Sequence, residues 1–483
     1  MIKYKLILLV LGALLLVESV FMAISTIVSY FYGEDDFIPL LISCGILLGS
    51  GSLLVLLFRK TDKKIEKREA YLIVSLVWIV LSFFGSLPFY ISGYIPEYTD
   101  AFFETISGFT TTGASILNNI EELPHGLLLW RSTTQWLGGM GIIVLSMALI
   151  PFIKIGGLQL FSAESPGIST DKLHPRIKQT ALRLYLLYIG FTLTQAILLS
   201  VFGMSVFDAI NHALTTMATG GYSTKQASIA AWDSPAIHYI IIVFMIFAGT
   251  NFSLSYFTIT GQFKKVFKNS EIKFYLILIF VATAIIGSGL WYFMDLPVEK
   301  AFRDSLFQTV SIITTTGYGT SDFLSWTPTG LWVIIVLLMF LGGSSGSTGG
   351  GIKMVRIHIL IRNSYMEFKR LVNPHAVLPV RYNGKAISQQ VINNVLAFVI
   401  LYILIIAFGT LIMSFSGLSF DTAFGAVATS IGNIGPGIGD VGPASNFANI
   451  SIFGKWFLGF LMLIGRLELF TVLIIFTRAF WNK

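Results

Sequence analysis

The chain has 483 residues, of which 54% are hydrophobic and 12% charged. Soluble domains carry about 25% charged residues, so this composition, with a mean hydropathy of +0.78, excludes an ordinary soluble enzyme and indicates a polytopic membrane protein. The net charge of +7 does not mark a nucleic-acid binder, and the single cysteine, Cys44, excludes a disulfide framework or a multi-cysteine metal site.

Two spanning helices are predicted first, over 6–31 and 38–58, each near the ~20 apolar residues a bilayer requires. The start, Met1-Ile2-Lys3-Tyr4-Lys5, imitates a signal peptide, but no small-residue cleavage site follows, so the helix is read as retained. Glu18 lies inside it. A lone intramembrane acid marks either a function or a structural or subunit contact, and its place ahead of the repeats described below favours contact.

From about residue 70 the chain divides into four similar units. In 70–152, Tyr71–Gly93 crosses, Asp100–Thr112 forms a short re-entrant helix, Gly113 onward returns extended, and Leu127–Pro151 crosses back with Gly138-Gly139 near its middle. The unit 153–264 has crossings near 181–204 and 236–260 around Asp208–Thr219. The unit 265–365 has crossings near 273–294 and 328–364 around Asp304–Thr316. The unit 366–483 has crossings near 391–415 and 452–480 around Asp421–Ser430. With the segment 1–69 this gives ten crossings and four re-entrant helices. The loops on one side hold 26 of the 32 Lys and Arg residues, which by the positive-inside rule puts both termini in the cytoplasm.

The breaks between the paired crossings share a pattern. Thr314-Thr315-Thr316-Gly317-Tyr318-Gly319 is poor helix material at membrane depth, where irregular backbone is tolerated only if it is buried in protein or lines an aqueous path. Potassium-channel filters use a Thr-Val-Gly-Tyr-Gly loop whose carbonyls replace the ion's hydration shell. Thr110-Thr111-Thr112-Gly113-Ala114-Ser115 and Ala218-Thr219-Gly220-Gly221-Tyr222-Ser223 repeat the pattern. Asp100, Asp208 and Asp304 each precede the key glycine (Gly113, Gly221, Gly317) by thirteen steps. Asp421 leads to Ile431-Gly432-Asn433-Ile434-Gly435, where Gly435 is fourteen steps on, as if one residue bulged out. The four acids suit helix N-caps, which would aim the partially negative C-terminal ends at a common axis and favour a cation.

Four such copies, together with Gly465-Arg466-Leu467-Glu468 in the last crossing, resemble the Trk/Ktr/HKT superfamily of potassium transporters, and within it the bacterial TrkH/TrkG type. The resemblance spans essentially the whole chain. It implies an all-α polytopic membrane protein with two N-terminal helices and four helix–re-entrant loop–helix repeats around a pseudo-fourfold pore. Its selectivity filter is expected at Thr111, Thr112, Gly113, Thr219, Gly220, Gly221, Thr315, Thr316, Gly317, Asn433, Ile434 and Gly435. The implied function is gated K+ uptake across the bacterial inner membrane, with a cytosolic RCK-type (TrkA-like) nucleotide-binding ring as partner and a homodimer as assembly. No covalent cofactor is implied, and the nucleotide belongs to the partner.

The small-residue run Gly342-Gly343-Ser344-Ser345-Gly346-Ser347-Thr348-Gly349-Gly350-Gly351 cannot form a lipid-facing helix, since Gly costs about 1 kcal/mol per helical position. It is either a flexible inner-edge stretch or, as the resemblance implies, a gating loop beneath the filter. Arg466 is expensive at mid-membrane. It either projects beneath the filter as an electrostatic barrier or anchors a neighbouring helix. A pair with Glu468 is not expected, because i and i+2 face apart. The inner loops 153–181 and 366–388 are long and basic, and Asn383-Gly384 signals a hairpin in the second.

Gly437-Ile438-Gly439-Asp440-Val441-Gly442 is a literal GxGxxG and Gly342-Gly343-Ser344-Ser345-Gly346 a literal GxSxG, but neither has the strand–helix setting those motifs need. The rivals are a sodium-permeable or H+- or Na+-coupled member of the same superfamily and, more distantly, a membrane-embedded enzyme. Plant relatives that admit sodium carry serine at the first-repeat glycine, so Gly113 argues for K+.

Overall fold

The computed structural model describes residues 2–62, 65–148 and 177–482. Two helices, α1 (Tyr4–Tyr32) and α2 (Phe37–Phe58), form an antiparallel pair. They approach closely because Gly12 and Gly51 face one another: a Cβ on Gly12 would lie 3.0 Å from the Gly51 carbonyl. The acidic turn between them has a structural task. Asp36 accepts from the Leu127 amide at 2.9 Å and Glu34 from the His125 amide at 2.6 Å. Both carboxylates therefore sit at the N-terminus of a later helix, where the helix dipole favours negative charge.

The first repeat comprises α3 (Lys67–Gly85), the short α4 (Leu87–Ile91), α5 (Tyr98–Phe109) and α6 (His125–Ala148). A capping box between Glu66 and Glu69 starts α3. Pro151, expected to close the second crossing, and most of the loop 153–181 lie outside the described residues. The second repeat comprises α7 (Ile177–Val201), α8 (Val206–Met217), α9 (Pro235–Ala248) and α10 (Phe252–Ile259). After a short α11 (Phe263–Lys268), the third holds α12 (Ser270–Met294), α13 (Val298–Ile313), α14 (Trp332–Leu338) and α15 (Met354–Val372). A two-stranded hairpin follows, β1 (Arg381–Tyr382) against β2 (Lys385–Ala386), with Asn383 and Gly384 both at positive φ in its turn. The fourth repeat is α16 (Gln389–Phe415), α17 (Phe420–Gly432), α18 (Ile452–Arg466) and α19 (Phe470–Leu473), with α20 (Arg478–Trp481) at the end.

Among the described residues six helices are long and apolar enough to span a bilayer without a break. Three of the ten predicted crossings depart from a continuous helix. The second crossing of repeat two bends by 115° between α9 and α10, and that of repeat four bends by 110° after Arg466. The segment 328–364 is not one helix: α14 stops at Leu338 and the chain resumes as helix only at Met354. All three breaks fall where these crossings pass the ends of the short helices, and polar groups there take over the freed backbone bonds.

The short helices α5, α8, α13 and α17 each pack on the first crossing of their own repeat. Three of the second crossings also reach the next repeat: α6 packs on α8, α9 on α13, and α18 on α5. The last contact joins repeat four to repeat one, so the units close a circle. Large apolar side chains such as Phe280, Leu337 and Phe408 point outward, as lipid contact requires.

Candidate functional site

The four short helices end alike. In repeat one the Thr111 amide bonds the Gly108 carbonyl and the Thr112 amide the Ser107 carbonyl. The same pair of bonds, reaching back three and five residues, recurs at Thr219 and Gly220, Thr315 and Thr316, and Asn433 and Ile434. This is a helix C-terminus closed by a left-handed residue. Thr111, Thr219, Thr315 and Asn433 have φ of 52°, 54°, 58° and 52°, and Gly113, Gly221, Gly317 and Gly435 have 82°, 74°, 83° and 102°. Asn tolerates that region. A threonine there is strained by about 1–3 kcal/mol, so three of them persist only because their surroundings fix the backbone. The fourth repeat keeps this register at Asn433 and Gly435 with no bulged residue: the caps Glu97, Ser205 and Ser419 all precede their ring glycine by sixteen steps, and Asp421 is fourteen steps away only because it stands second in α17 where Asp100 and Asp208 stand third in their helices.

The four glycines meet. A Cβ on Gly113 would lie 2.1 Å from the Gly220 carbonyl oxygen, one on Gly221 1.9 Å from that of Thr316, and one on Gly317 1.9 Å from that of Ile434. A Cβ on Gly435 would lie 3.0 Å from the carbonyl oxygen of Thr112. The contacts run from repeat one to two, three, four and back to one. The residues one step before the glycines therefore bring four backbone carbonyls into a closed ring, at the negative ends of four helices.

Side chains brace this ring. Thr215 donates to the Tyr222 carbonyl at 2.9 Å, and Ser311, at the matching position, to the Tyr318 carbonyl at 2.7 Å. The Thr110–Thr112 and Thr314–Thr316 hydroxyls pair at 2.8 Å. Asn433 crosses between repeats, donating to the Thr112 hydroxyl and the Met462 carbonyl at 2.9 Å.

The acids do not cap the helices as expected. The caps are Ser205 on α8 and Ser419 on α17, whose hydroxyls accept the Asp208 and Thr422 amides. Asp100, Asp208 and Asp421 lie in the first turn, and Asp304 lies farther inside, because α13 begins at Val298. A hydroxyl at a cap leaves the carboxylate free for longer reach. Asp208 accepts from Thr224 at 2.6 Å and Asp304 meets Thr320 at 3.5 Å, each sixteen residues on, strapping the return segment to its helix. Asp100 pairs with Lys455 at 2.6 Å, linking repeats one and four.

The run 342–351 lies directly under the ring and is almost entirely buried. Its neck is shut where Gly342 donates to the Ile352 carbonyl at 2.9 Å and the Gly343 carbonyl accepts from Met354 at 3.2 Å. Gly351 takes φ 63°, and a Cβ there would lie 3.1 Å from the Gly342 Cα. The tip is held on every side. Ser344 donates to the Gly249 carbonyl at 2.8 Å, the Gly346 carbonyl accepts from Phe252 at 3.3 Å, and Asn251 donates to Ser345 at 2.5 Å. Thr348 donates to the Met217 carbonyl at 3.1 Å, and Gly350 donates to the Thr315 hydroxyl at 2.7 Å. A Cβ on Gly349 would lie 2.9 Å from the Thr314 carbonyl. The run is thus a hydrogen-bonded plug touching the ends of α8, α13 and α17, and not a loose stretch at the membrane edge.

Arg466 donates to the Thr348 carbonyl at 2.5 Å and to the Gly138 carbonyl at 3.1 Å, so its guanidinium lies beneath the plug. Glu468 pairs with Arg356 at 2.7 Å. Gly113, Gly221 and Gly317 are partly exposed, whereas Thr111, Thr219 and Thr315 are fully buried, the last two bonded to Thr348 and Gly350 of the plug. The ring is open on one side and sealed on the other.

Sequence reasoning passed over several residues. In α6, Arg131 bonds Glu104 at 2.7 Å and the Ser223 carbonyl at 2.9 Å, and Gln135 bonds the backbone of repeat two. Their signal was the continuous polar run Arg131-Ser132-Thr133-Thr134-Gln135 in a membrane crossing, with Arg131 and Gln135 one turn apart on one helix face. Glu271, at the start of α12, accepts from the Ser345 amide at 2.7 Å and from Tyr382 at 3.2 Å. Glu18 is buried, and among the described residues neither of its carboxylate oxygens has a hydrogen-bond partner. The two decoys are disposed of: 437–442 packs as a turn against α17, with Gly437 bonded to Val441 at 2.7 Å, and the GxSxG is the plug.

Four re-entrant helices closing a ring of carbonyls inside a polytopic helical bundle define a membrane transport protein, not an enzyme. The chain belongs to the TrkH family of cation transport proteins, whose model matches residues 42–483. It is 38% identical over 479 residues to the Trk system potassium uptake protein TrkH of Escherichia coli K12, covering 98% of each chain. It is 32% identical over 475 residues to TrkG of the same organism, covering 98% of this chain and 97% of that one. The crystal structure of the potassium transporter TrkH from Vibrio parahaemolyticus superposes with a TM-score of 0.90 over 100% of both chains at 36% identity.

Proposed function

We propose that this chain conducts K+ into the bacterial cell as the gated, ion-translocating subunit of a Trk-type system. The ring of four carbonyl-bearing breaks is the observation that carries this reading. Carbonyl dipoles and converging helix C-termini replace the hydration shell of a large, weakly hydrated cation. Thr111, Thr112, Gly113 and their counterparts form the filter, the run 342–351 is the gate, and Arg466 both latches it and repels cations from below. The positive-inside pattern puts the termini and the hairpin 381–386 in the cytoplasm. That basic face suits a cytosolic nucleotide-binding ring, and the family resemblance supports a homodimer.

A sodium-permeable transporter is the main rival, and glycine at position 113 favours K+. Purified protein in proteoliposomes should pass K+ and Rb+ well ahead of Na+. Equal passage of Na+, or uptake that requires a proton or sodium gradient, would replace this reading with a sodium-permeable or coupled one.

A further inference from the structure

The ring is not symmetric, and the difference lies in repeat two. The positions one step before the filter glycines carry Thr112, Thr316 and Ile434, but repeat two has Gly220. The missing side-chain volume is occupied by a residue from another repeat. A Cβ on Gly220 would lie 2.3 Å from the Gln135 side-chain carbon Cδ. The Gln135 amide donates to the Gly220 carbonyl at 2.7 Å and accepts from the Tyr222 amide at 3.1 Å, bracketing Gly221. Both bonds are made at once, so the orientation of the amide is fixed by its partners. Gln135 is fully buried and belongs to α6, one turn from Arg131, which donates to the carbonyl of Ser223 in the same return segment.

We propose that Gln135 is a specificity-determining positioning residue of the filter. It fixes the backbone 220–222 and engages one of the two lone pairs of the Gly220 oxygen, leaving the other for the ion. A carbonyl already bearing a hydrogen bond is a weaker, less movable ligand. Weak, fixed oxygens favour a large, easily dehydrated cation over a small one that rewards contraction of the cage. Gln135 thereby biases the ring toward K+ and Rb+ and against Na+. This rests on the reading of the ring as the ion filter.

The test uses the purified full-length protein and compares the K+ and Na+ concentrations that give half-maximal thermal stabilisation, a readout that does not need an open gate. Gln135→Leu removes both bonds and should narrow the ratio of these concentrations about tenfold, the change one neutral hydrogen bond corresponds to. Gln135→Ala combined with Gly220→Thr refills the space without restoring the donor, and should narrow the ratio similarly. A wild-type ratio in this pair would show that Gln135 merely fills space and would overturn the proposal. Gly113→Ser is the reference. If it shifts the ratio and neither Gln135 variant does, Gln135 has no role in selectivity and the filter stands. If none of the three shifts it, the filter reading falls as well.

Discussion

Arg466 donates to the carbonyl of Thr348 at 2.5 Å, joining the last crossing of the chain to the plug under the ring. Its second bond, to Gly138 at 3.1 Å, brings in the first repeat. One buried guanidinium thus ties repeats one, three and four together beneath the ring. A charge-assisted bond contributes about 1.5–3 kcal/mol.

Removing the guanidinium should therefore release the plug. Arg466→Gln is expected to raise Rb+ uptake into proteoliposomes by about ten- to a hundredfold, as loss of one such bond implies. Unchanged uptake by correctly inserted protein would show that Arg466 is an anchor and not a barrier.

The plug can also be displaced sterically. A Cβ on Gly350 would lie 2.4 Å from the Gly432 carbonyl at the end of α17. Gly350→Ala should push the plug off that helix end and raise uptake without altering the preference among cations. A fall in uptake would indicate that the plug moves inward on that substitution and tightens the closure.

The four ring glycines should rank by the room beside them. Gly113, Gly221 and Gly317 leave 1.9–2.1 Å to the facing carbonyl, and Gly435 leaves 3.0 Å. Alanine at Gly435 should therefore keep more K+ uptake than alanine at the other three. All four have positive φ, so strain of about 1–3 kcal/mol is common to them and cannot produce the ranking. Equal loss at all four in Rb+ flux assays would mean that strain, not the ring contact, dominates.

Glu271 joins the hairpin to the plug, accepting from Tyr382 at 3.2 Å and from Ser345 at 2.7 Å. The hairpin turn grips the same helix start, since Asn383 accepts the Ser270 amide at 2.7 Å. Glu271→Ala should speed hydrogen exchange of the Ser345 amide by at least about tenfold, since a buried amide loses its acceptor. Tyr382→Phe should loosen the hairpin and leave that amide nearly as protected as before. Unchanged protection of Ser345 in Glu271→Ala would show that the carboxylate does not hold the plug.

The Asn383-Gly384 turn was readable from two residues, because a turn of this kind is set by local dihedral preference. The acids misled for the opposite reason. Asp208, Asp304 and Asp421 look like caps in a linear reading, yet a serine upstream takes the cap in α8 and α17, and α13, which holds Asp304, simply starts earlier. The bends after Ala248 and Arg466 were also missed, since those stretches are apolar enough to pass for unbroken spans.

The sequence by itself determined the membrane class, the four-part repeat and the positions at which the four short helices must end, because hydropathy, glycine and spacing act locally along the chain. Only the tertiary structure decided that the breaks form a ring, that 342–351 is a bonded plug, and that Gln135 fills the place of a side chain absent at Gly220. Those relations join residues tens to hundreds of positions apart. Their cause is the closing of repeat four against repeat one, which no local preference encodes.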